Sequence, residues 1–553
     1  MTLNGRGRSG VGALQAVFHY HDATKHSFQG HARGPGFLDW ATQPDPFRRY
    51  HGARLIPLEQ IPVTDAPLYD EAFVHGRIPP APVTRRSLSQ LFYDSLAISA
   101  WKSTGPVSWA LRVNPSSGNL HPTEGYLICG PIIGLHDTPM VCHYAPKEHL
   151  LEVRAEFECG LWDRLCPDAP EDTFLVGLTS IHWREAWKYG QRAYRYCQHD
   201  AGHAIGAISV AAAGLGWQAE ILDDVGTDEL AHLMGTFRDH DGEQEEPDVL
   251  MAVGPRVADV SQMHVPEEQI LAFGSLDWKG NANHLSPSHV DWGMNDIAAQ
   301  TRKPRCLHGH ALPRPQAAPL TSSNLRDSRP VSLRQIIRQR RSAVAMDRAT
   351  HITRDTFYQM LHKTVAGPGI MPFSTLPWTP HLHLAIFVHR VNDLPPGLYL
   401  LVRDPSQRAA LEDALTNADH WRRPAGCPPH LELYSLIDAD VTRAAQQMSC
   451  FQDIASDGCF SLGMIAEYEA PLTRHGPWLY PRLFWEAGLI GQVLYLEAEA
   501  AGIRSTGIGC YFDDPMHDVL GLHDHTYQDL YHFTIGGAVE DTRLTTLPAY
   551  PEE

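Results

Sequence analysis

An internal repeat is the feature that most constrains this 553-residue chain, because two similar halves predict two similar folding units. Residues 200–214 form a nearly all-apolar helical pattern that begins with a carboxylate, ends in glycine and leads to an Asp-Asp pair at 223–224. Residues 486–502 have the same pattern and lead to an Asp-Asp pair at 513–514. A repeat of this length indicates domain duplication rather than a solenoid. The chain length agrees, since single hydrophobic cores seldom grow beyond about 250–300 residues.

The two repeated helices are predicted to lie in the interior. A helix that is apolar on nearly every side is usually buried, and two such helices would pack well at a pseudo-twofold interface within the chain. Each could also be the core helix of its own half, and the two interpretations are compatible. The carboxylates of Asp200 and Glu486 are predicted at the helix N-termini, where the helix dipole favours them. Small residues that would permit close approach are Gly202, Ala204, Gly206, Gly488 and Gly491.

The middle of the chain predicts a boundary between the two copies. Residues 277–330 are rich in Pro, Ser, Asn and Gly and have no sustained helical or strand period, which is typical of a linker. The predicted organisation is an N-terminal extension over 1–84, a first domain over 85–276, this linker, and a second domain over 331–545. Each domain is expected to be of the α+β class, because each copy combines its long helix with strand-like segments.

Charge and cysteine usage exclude several classes of function. Asp and Glu (64) outnumber Lys and Arg (45), giving a net charge of −19, and such an acidic chain is a poor candidate for nonspecific nucleic-acid binding. The apolar stretch at 204–217 is too short for a transmembrane helix, and the apolar run at 11–18 lacks a signal-peptide cleavage pattern. The ten cysteines include no CxxC pair, and residues 306–310 are interpreted as an exposed loop rather than a metal site. We therefore expect a cytoplasmic protein.

Two short motifs suggest a ligand site. Arg340, Arg341 and Ser342 follow a predicted helix, and two guanidinium groups with a hydroxyl match the oxygens of a phosphate. Residues 114–119 (NPSSGN) combine Pro, Gly and small hydrogen-bonding residues, so their backbone could approach a flat polar ring closely. Solvated arginines and an ordinary turn would explain the same residues without any ligand.

Several separate motifs make the chain resemble the SagB/ThcOx-type dehydrogenases, which are members of the FMN-dependent nitroreductase superfamily. The motifs are residues 114–124 (NPSSGNLHPTE), 187–190 (WKYG) and 200–203 (DAGH), and the segments 20–27 and 44–50 resemble the tandem members of that group. The resemblance covers almost the whole chain. It implies an α+β fold with two tandem FMN-dependent nitroreductase-like three-layer domains that form an intramolecular pseudo-dimer.

The resemblance also implies that FMN lies between the two domains and is contacted by both. One domain would hold the phosphate and a backbone segment beside the flavin ring, and the other would contribute the loop that contacts the ring. The residues assigned in this way are Arg340, Arg341, Ser342 and additionally Arg543 for the phosphate, Pro115, Ser116, Ser117 and Asn119 for the ring, and Ile508 and Gly509 for the backbone segment.

The two halves have lost complementary parts of this site. The second half has residues 367–374 (GPGIMPFS) where the first has its Pro-Ser-Ser loop, and the first half has no Arg-Arg-Ser segment at the matching distance before Leu88. We therefore expect one intact composite site, and about one FMN, per chain. Val344 stands where the family often has a basic residue, which weakens the predicted phosphate clamp.

Lys188 and Tyr189 match the Lys-Tyr pair that acts with the flavin in azoline-oxidising relatives. Oxidation of a thiazoline or oxazoline ring removes a proton from carbon and transfers a hydride to the flavin. A lysine that is desolvated beside the flavin can serve as the base, with Tyr189 orienting it or sharing the proton. The alternative is a surface lysine that packs along Trp187. Leu479 is aligned with Lys188 in the second half, consistent with a single working site.

Three functions remain as hypotheses. The first is an FMN-dependent dehydrogenase that oxidises an azoline-type ring in a peptide or small natural product, alongside biosynthetic partner enzymes. The second is a nitro or quinone reductase that uses NAD(P)H, and the third is a flavin-free scaffold in a biosynthetic complex. Neither a nucleic acid nor a membrane is expected as a partner.

Overall fold

The computed structural model describes residues 10–167, 169–238, 243–256, 263, 265–305, 312, 330–367 and 369–550. Residues 306–311 and 313–329 of the predicted linker lie outside this part of the chain. No helix within the described ranges has both the length and the apolar character needed to cross a membrane.

Two antiparallel sheets, one in each half, form the framework of the protein. The strands of the first half are β1 (Tyr50–His51), β2 (Arg54–Pro57), β3 (Ile98–Ser103), β4 (Ser108–Arg112), β5 (Thr123–Cys129), β6 (Met140–Ala145), β7 (Leu150–Glu156), β8 (Phe174–Ser180), β9 (Gln218–Ile221), β10 (Glu246–Gly254) and β11 (Asn281–Ala282). Those of the second half are β12 (Ile352–Thr353), β13 (Leu382–Val388), β14 (Val391–Asn392), β15 (Gly397–Leu401), β16 (Leu433–Asp438), β17 (Phe460–Glu467), β18 (Arg504–Ile508), β19 (Tyr527–Gly536) and β20 (Thr545–Leu547).

Helices surround both sheets. In chain order they are α1 (Gly10–Ala23), α2 (Arg85–Tyr93), α3 (Cys159–Leu165), α4 (His182–Tyr189), α5 (Ala193–Gly214), α6 (Thr227–Met234), α7 (Glu267–Phe273), α8 (Met294–Gln300), α9 (Leu333–Gln339), α10 (Arg354–His362), α11 (Arg408–Ala414), α12 (Thr442–Met448), α13 (Ile454–Asp457), α14 (Glu469–His475), α15 (Tyr480–Ala500) and α16 (Asp513–Leu520). Their N-terminal amides are capped locally in several cases, as where the Thr84 hydroxyl accepts a hydrogen bond from the Ser87 amide at the start of α2.

The two sheets share one topology, which confirms the predicted duplication. The first has the order β2-β7-β6-β5-β8-β10-β9, and the second has the order β16-β15-β13-β17-β19-β18. In both, the central strand is buried along its whole length, because helices cover both faces. In both, the short strand that follows the long helix pairs antiparallel with the last long strand of the half, β9 with β10 and β18 with β19.

The long helices α5 and α15 cross at the interface between the halves, as their apolar pattern predicts. A Cβ atom built on Gly202 would lie 2.3 Å from the carbonyl oxygen of Trp485, and one built on Gly488 would lie 2.2 Å from that of His199. Glycine is therefore required at both positions for the backbones to approach this closely. The fold is an intramolecular pseudo-dimer.

The predicted starts of these two helices are wrong. Helix α5 begins at Ala193 and α15 at Tyr480, so Asp200 and Glu486 lie about two turns inside their helices and are not at the N-termini. Each carboxylate instead accepts backbone hydrogen bonds from a neighbouring segment of its own half. Asp200 accepts from the Ser117 amide, and Glu486 accepts from the amide of His381. A carboxylate that accepts hydrogen bonds from the backbone of a packed loop in this way can lie in the middle of a buried helix.

The chain ends are exchanged between the two halves. Strand β20, near the C-terminus, pairs with β3 of the first half. Helix α1, near the N-terminus, packs against the second half, where the His21 side chain hydrogen-bonds Gln528 and Tyr480. Strand β2 lies within the predicted extension over 1–84, yet it forms the edge strand of the first sheet. That segment is therefore built into the first folding unit.

Candidate functional site

A cavity of about 770 Å³ lies between the two halves. Its walls include the loop at 115–119 from the first half and the segments 340–344 and 506–510 from the second. The predicted site residues that line it are Pro115, Ser116, Ser117, Asn119, Tyr189, Arg340, Arg341, Ser342, Ile508 and Gly509. The fold thus brings together two motifs that are more than 200 positions apart in the sequence.

Within the described part of the chain, no carboxylate neutralises the two arginines that line the cavity. The buried Arg340 guanidinium donates hydrogen bonds to the carbonyl oxygens of Arg112 and Val113, and its Nε atom has no partner among the described residues. Arg341 donates to the carbonyl oxygens of Arg338 and Arg340. Neither side chain is in an ion pair within the described ranges. Burial and the neighbouring arginines lower the pKa of Arg341 to about 9, so an anion bound here would relieve their repulsion.

The segment 505–509 holds the arginine motif in position. The Ser342 hydroxyl and the Gly507 amide both hydrogen-bond the Tyr495 hydroxyl, at 2.9 and 3.0 Å. The Tyr196 hydroxyl of the first half donates to the Gly509 carbonyl oxygen at 2.9 Å, and a Cβ atom built on Gly509 would lie 2.6 Å from the Tyr196 ring. Gly509 therefore permits close contact between the two halves at this wall.

The loop at 115–119 uses its polar side chains to hold its own shape. The Ser117 amide and hydroxyl each donate to the Asp200 carboxylate at 3.0 Å. The Ser116 hydroxyl accepts from the His121 amide, and the Asn119 side-chain amide donates to a backbone carbonyl oxygen. Gly118 and Asn119 adopt φ angles of 58° and 59°. The backbone of a fixed turn is therefore what this loop offers to a ligand.

Lys188 and Tyr189 lie directly against this loop. A Cβ atom on Gly118 would come within 2.5 Å of the Tyr189 hydroxyl and 3.0 Å of the Lys188 Nζ atom. Helix α4 ends at Tyr189, and Gly190 with φ 58° caps it. Burial, together with the neighbouring Glu185, raises the pKa of Tyr189, so its hydroxyl keeps its proton. Lys188 is partly exposed, and it does not itself line the cavity.

Arg543 lies apart from these residues. Its side chain is 86% exposed and forms an ion pair with Asp541 at 2.8 Å, and it is not part of the cavity wall. Val344 does line the cavity and is 70% exposed, so the position where relatives often carry a basic residue is open to a ligand.

Two buried carboxyl groups behind the loop were not assigned to the site from the sequence. Burial raises the pKa of Asp200 to about 7. Glu185 is fully buried, both of its carboxyl oxygens lack a hydrogen-bond partner in the described part of the chain, and burial with the nearby Asp200 raises its pKa well above the usual range. The sequence held one signal for Glu185: it is three residues before Lys188, which places both on the same face of α4.

Neither a family model nor a curated protein matches the sequence. Among solved structures, a candidate nitroreductase from Anabaena variabilis is 20% identical, and the match covers 95% of this chain and 99% of the other with a TM-score of 0.68. The chain has the nitroreductase fold. Because the match spans nearly the full length of both proteins, the tandem arrangement is shared as well.

Shorter matches cover less than half of this chain. One is a chain of the E. coli microcin synthetase McbBCD complex with truncated pro-MccB17 bound, at 18% identity over 44% of this chain and 93% of the other, with a TM-score of 0.27. Another is a candidate nitroreductase from Exiguobacterium sibiricum in complex with FMN, at 12% identity over 40% and 90%, with a TM-score of 0.23.

The helix ends in this structure correct one equivalence in the repeat. Helices α4 and α14 both end at a glycine with positive φ, Gly190 and Gly476, and both continue through a 3₁₀ turn into the long helix. Counting back from these glycines, Lys188 corresponds to Arg474. Leu479, which the sequence aligned with Lys188, lies in the turn after the second glycine.

The counterpart of the Asp200 position in the second half, called the second position below, is packed with side chains. Glu486, the counterpart of Asp200, forms a buried ion pair with Arg403. The Arg482 guanidinium stacks over Trp378 and pairs with Asp223 of the first half at 3.0 Å. Ion-paired and aromatic side chains therefore fill the second position.

Asp200→Asn should remove a pH-dependent loss of stability. An aspartate with a folded pKa of about 7 stays protonated when the unfolded chain is already ionised, so its contribution to stability falls as the pH rises from about 4 to about 7. Between pH 5 and 8 the wild type should lose about 2–3 kcal/mol of unfolding free energy relative to Asp200→Asn. Urea unfolding of both proteins at the two pH values measures this difference, and equal pH slopes would contradict it.

Proposed function

We propose that this protein is an FMN-dependent oxidoreductase that binds one FMN in the cavity between its two halves. One observation carries the proposal: the buried Arg340 and its neighbour Arg341, which have no acidic partner among the described residues, line the same cavity as the glycine-containing turn at 115–119. FMN combines a dianionic phosphate with a flat polar ring, so it needs both kinds of surface within one pocket.

The donor set fits this cofactor at both ends. Guanidinium groups match phosphate oxygens in geometry as well as charge, and the Nε atom of Arg340, which has no partner in the described ranges, is a ready donor. At the other end, the backbone of the turn and Gly509 can approach a ring closely, and Tyr189 and Tyr531 provide aromatic surface. The volume of about 770 Å³ lies within the usual range of roughly 300–1,000 Å³ for ligand pockets.

For the reaction, we propose oxidation of an azoline-type ring in a peptide or small natural product. When bound, FMN supplies a two-electron acceptor for hydride. Lys188, beside the ring-binding turn, would remove the proton from the substrate carbon as general base. Tyr189, which stays protonated, would orient the substrate or the lysine by donating a hydrogen bond. Enzymes that form such rings are the biosynthetic partners we propose.

A reductant test distinguishes this function from its rivals. The protein is loaded with FMN and mixed anaerobically with either a thiazoline-containing peptide or NAD(P)H, and the visible flavin absorbance is followed. We expect the thiazoline to bleach the flavin and to be converted into the thiazole. Bleaching by NAD(P)H alone would instead indicate a nitro or quinone reductase. Failure to retain FMN at all would indicate the flavin-free scaffold.

A further inference from the structure

Two cysteines from distant parts of the chain meet at the cavity wall. Cys510 follows Gly509 directly and lines the cavity, and Cys450 follows the end of α12. Their Sγ atoms are 2.8 Å apart. His31 of the N-terminal segment has a ring nitrogen within 4.8 Å of both sulfur atoms.

The backbone on both sides of this pair is held in place. Cys450 and Phe451 adopt φ angles of 52° and 59°, a left-handed backbone conformation that residues other than glycine rarely adopt. The side-chain amide of Gln452 donates to the carbonyl oxygens of both Ser449 and Cys510, each at 2.9 Å. The surroundings therefore keep the two thiols facing each other at the expense of an unfavourable local conformation.

We propose that Cys450 and Cys510 form a reversible disulfide, which makes this wall of the cavity a redox-sensitive site. Both cysteines are partly buried rather than enclosed, and Cys510 lines the cavity. The disulfide joins the turn that carries Ile508 and Gly509 to the segment after α12. One wall of the proposed cofactor site is therefore cross-linked in the oxidised protein and free of this cross-link in the reduced protein.

The chemistry is thiol–disulfide exchange with a small-molecule disulfide such as glutathione disulfide as the oxidant. The Cys510 thiolate attacks one sulfur of the oxidant, whose S–S bond breaks, and the first thiolate leaves and is protonated. Cys450 then loses its proton and attacks the Cys510 sulfur, which forms the protein disulfide and expels the second thiolate. The two cysteines lose two electrons and two protons, and the oxidant gains them as two thiols.

The electrostatic surroundings favour Cys510 as the attacking group. The hydrogen bond with Cys450 and the nearby Arg192 guanidinium lower the pKa of the Cys510 thiol. The same hydrogen bond and burial raise the pKa of Cys450. The thiolate is the reactive form of cysteine, so the residue that lines the cavity is also the more nucleophilic one.

The test is to incubate the purified full-length protein with glutathione disulfide, block the remaining thiols with N-ethylmaleimide under denaturing conditions, and map the peptides by mass spectrometry. We expect a Cys450–Cys510 linked peptide, the loss of two blockable thiols per chain, and full reversal by dithiothreitol. Cys510→Ser should abolish the linked peptide. Cys159→Ser is the matched control, because Cys159 is exposed and lies far along the chain from the pair, and the linked peptide should still form.

Two outcomes would overturn the proposal. The first is that Cys450 and Cys510 are both fully alkylated after oxidation of the wild type. The second is that the purified protein contains one zinc ion per chain, which is lost in both Cys450→Ser and Cys510→Ser, because the thiols and His31 would then be metal ligands instead.

Discussion

Lys188→Ala should retain FMN and lose at least about 100-fold in the rate of azoline oxidation, because a positioned general base typically contributes about 10²–10⁴-fold. The Lys188 Nζ atom lies beside Gly118 and outside the group of residues that line the cavity, so its removal leaves the proposed cofactor contacts intact. Single-turnover kinetics with a thiazoline peptide measure the rate, and flavin fluorescence after ultrafiltration measures retention.

A further variant and a rescue experiment distinguish a role of Lys188 as a base from a role of its positive charge. Lys188→Arg keeps the charge but cannot release its proton at ordinary pH, so it should be as inactive as the alanine variant. A small primary amine added to Lys188→Ala should restore part of the rate. Lys279→Ala is the control, because Lys279 is exposed and forms an ion pair with the nearby Asp277. Unchanged turnover in Lys188→Ala would show that the assignment is wrong.

Arg341→Ala should raise the dissociation constant of FMN by about 10- to 100-fold, since a hydrogen bond to a charged group contributes about 1.5–3 kcal/mol. Arg341 is the better single test, because its contact with the first half is one hydrogen bond of 3.3 Å to the Ser99 carbonyl oxygen, whereas Arg340 donates at 3.1 Å to both Arg112 and Val113. Arg341→Lys should recover part of the affinity, because it keeps the charge without the planar fork.

The first half supplies a matched control with the same local sequence. Residues 85–87 are also Arg-Arg-Ser, but they begin α2, and Arg86 forms an ion pair with Glu59 outside the cavity. Arg86→Ala should therefore leave FMN affinity unchanged. Arg543→Ala belongs in the same titration series, because the sequence assigns it to the phosphate and the fold separates it from the cavity. Equal losses in Arg86→Ala and Arg341→Ala would contradict a phosphate clamp at 340–342.

The duplicated fold was predictable because its signal is local and repeated. The apolar periods of 200–214 and 486–502 are properties of consecutive residues, and the glycines within them mark a close helix contact that packing then requires. The helix starts were not predictable in the same way. Asp200 and Glu486 have the appearance of N-terminal residues, but their partners are loops far away in the sequence.

The parts of the site that were missed depend on contacts between distant segments. Glutamate is common in helices, and the local sequence does not indicate that the fold buries Glu185 near Asp200. Cys450 and Cys510 are 60 positions apart and match no motif. The ion pair of Arg482 with Asp223 at the second position joins the two halves, and the repeat pattern contains no information about it.

The stoichiometry of FMN tests the central claim most directly. The protein is reconstituted with excess FMN, freed of unbound flavin by gel filtration, and analysed for flavin by absorbance after denaturation and for protein by amino-acid analysis. One composite site between two unequal halves predicts one FMN per chain. Two FMN per chain would contradict the account, because the second position would then have to bind cofactor despite the side chains packed into it.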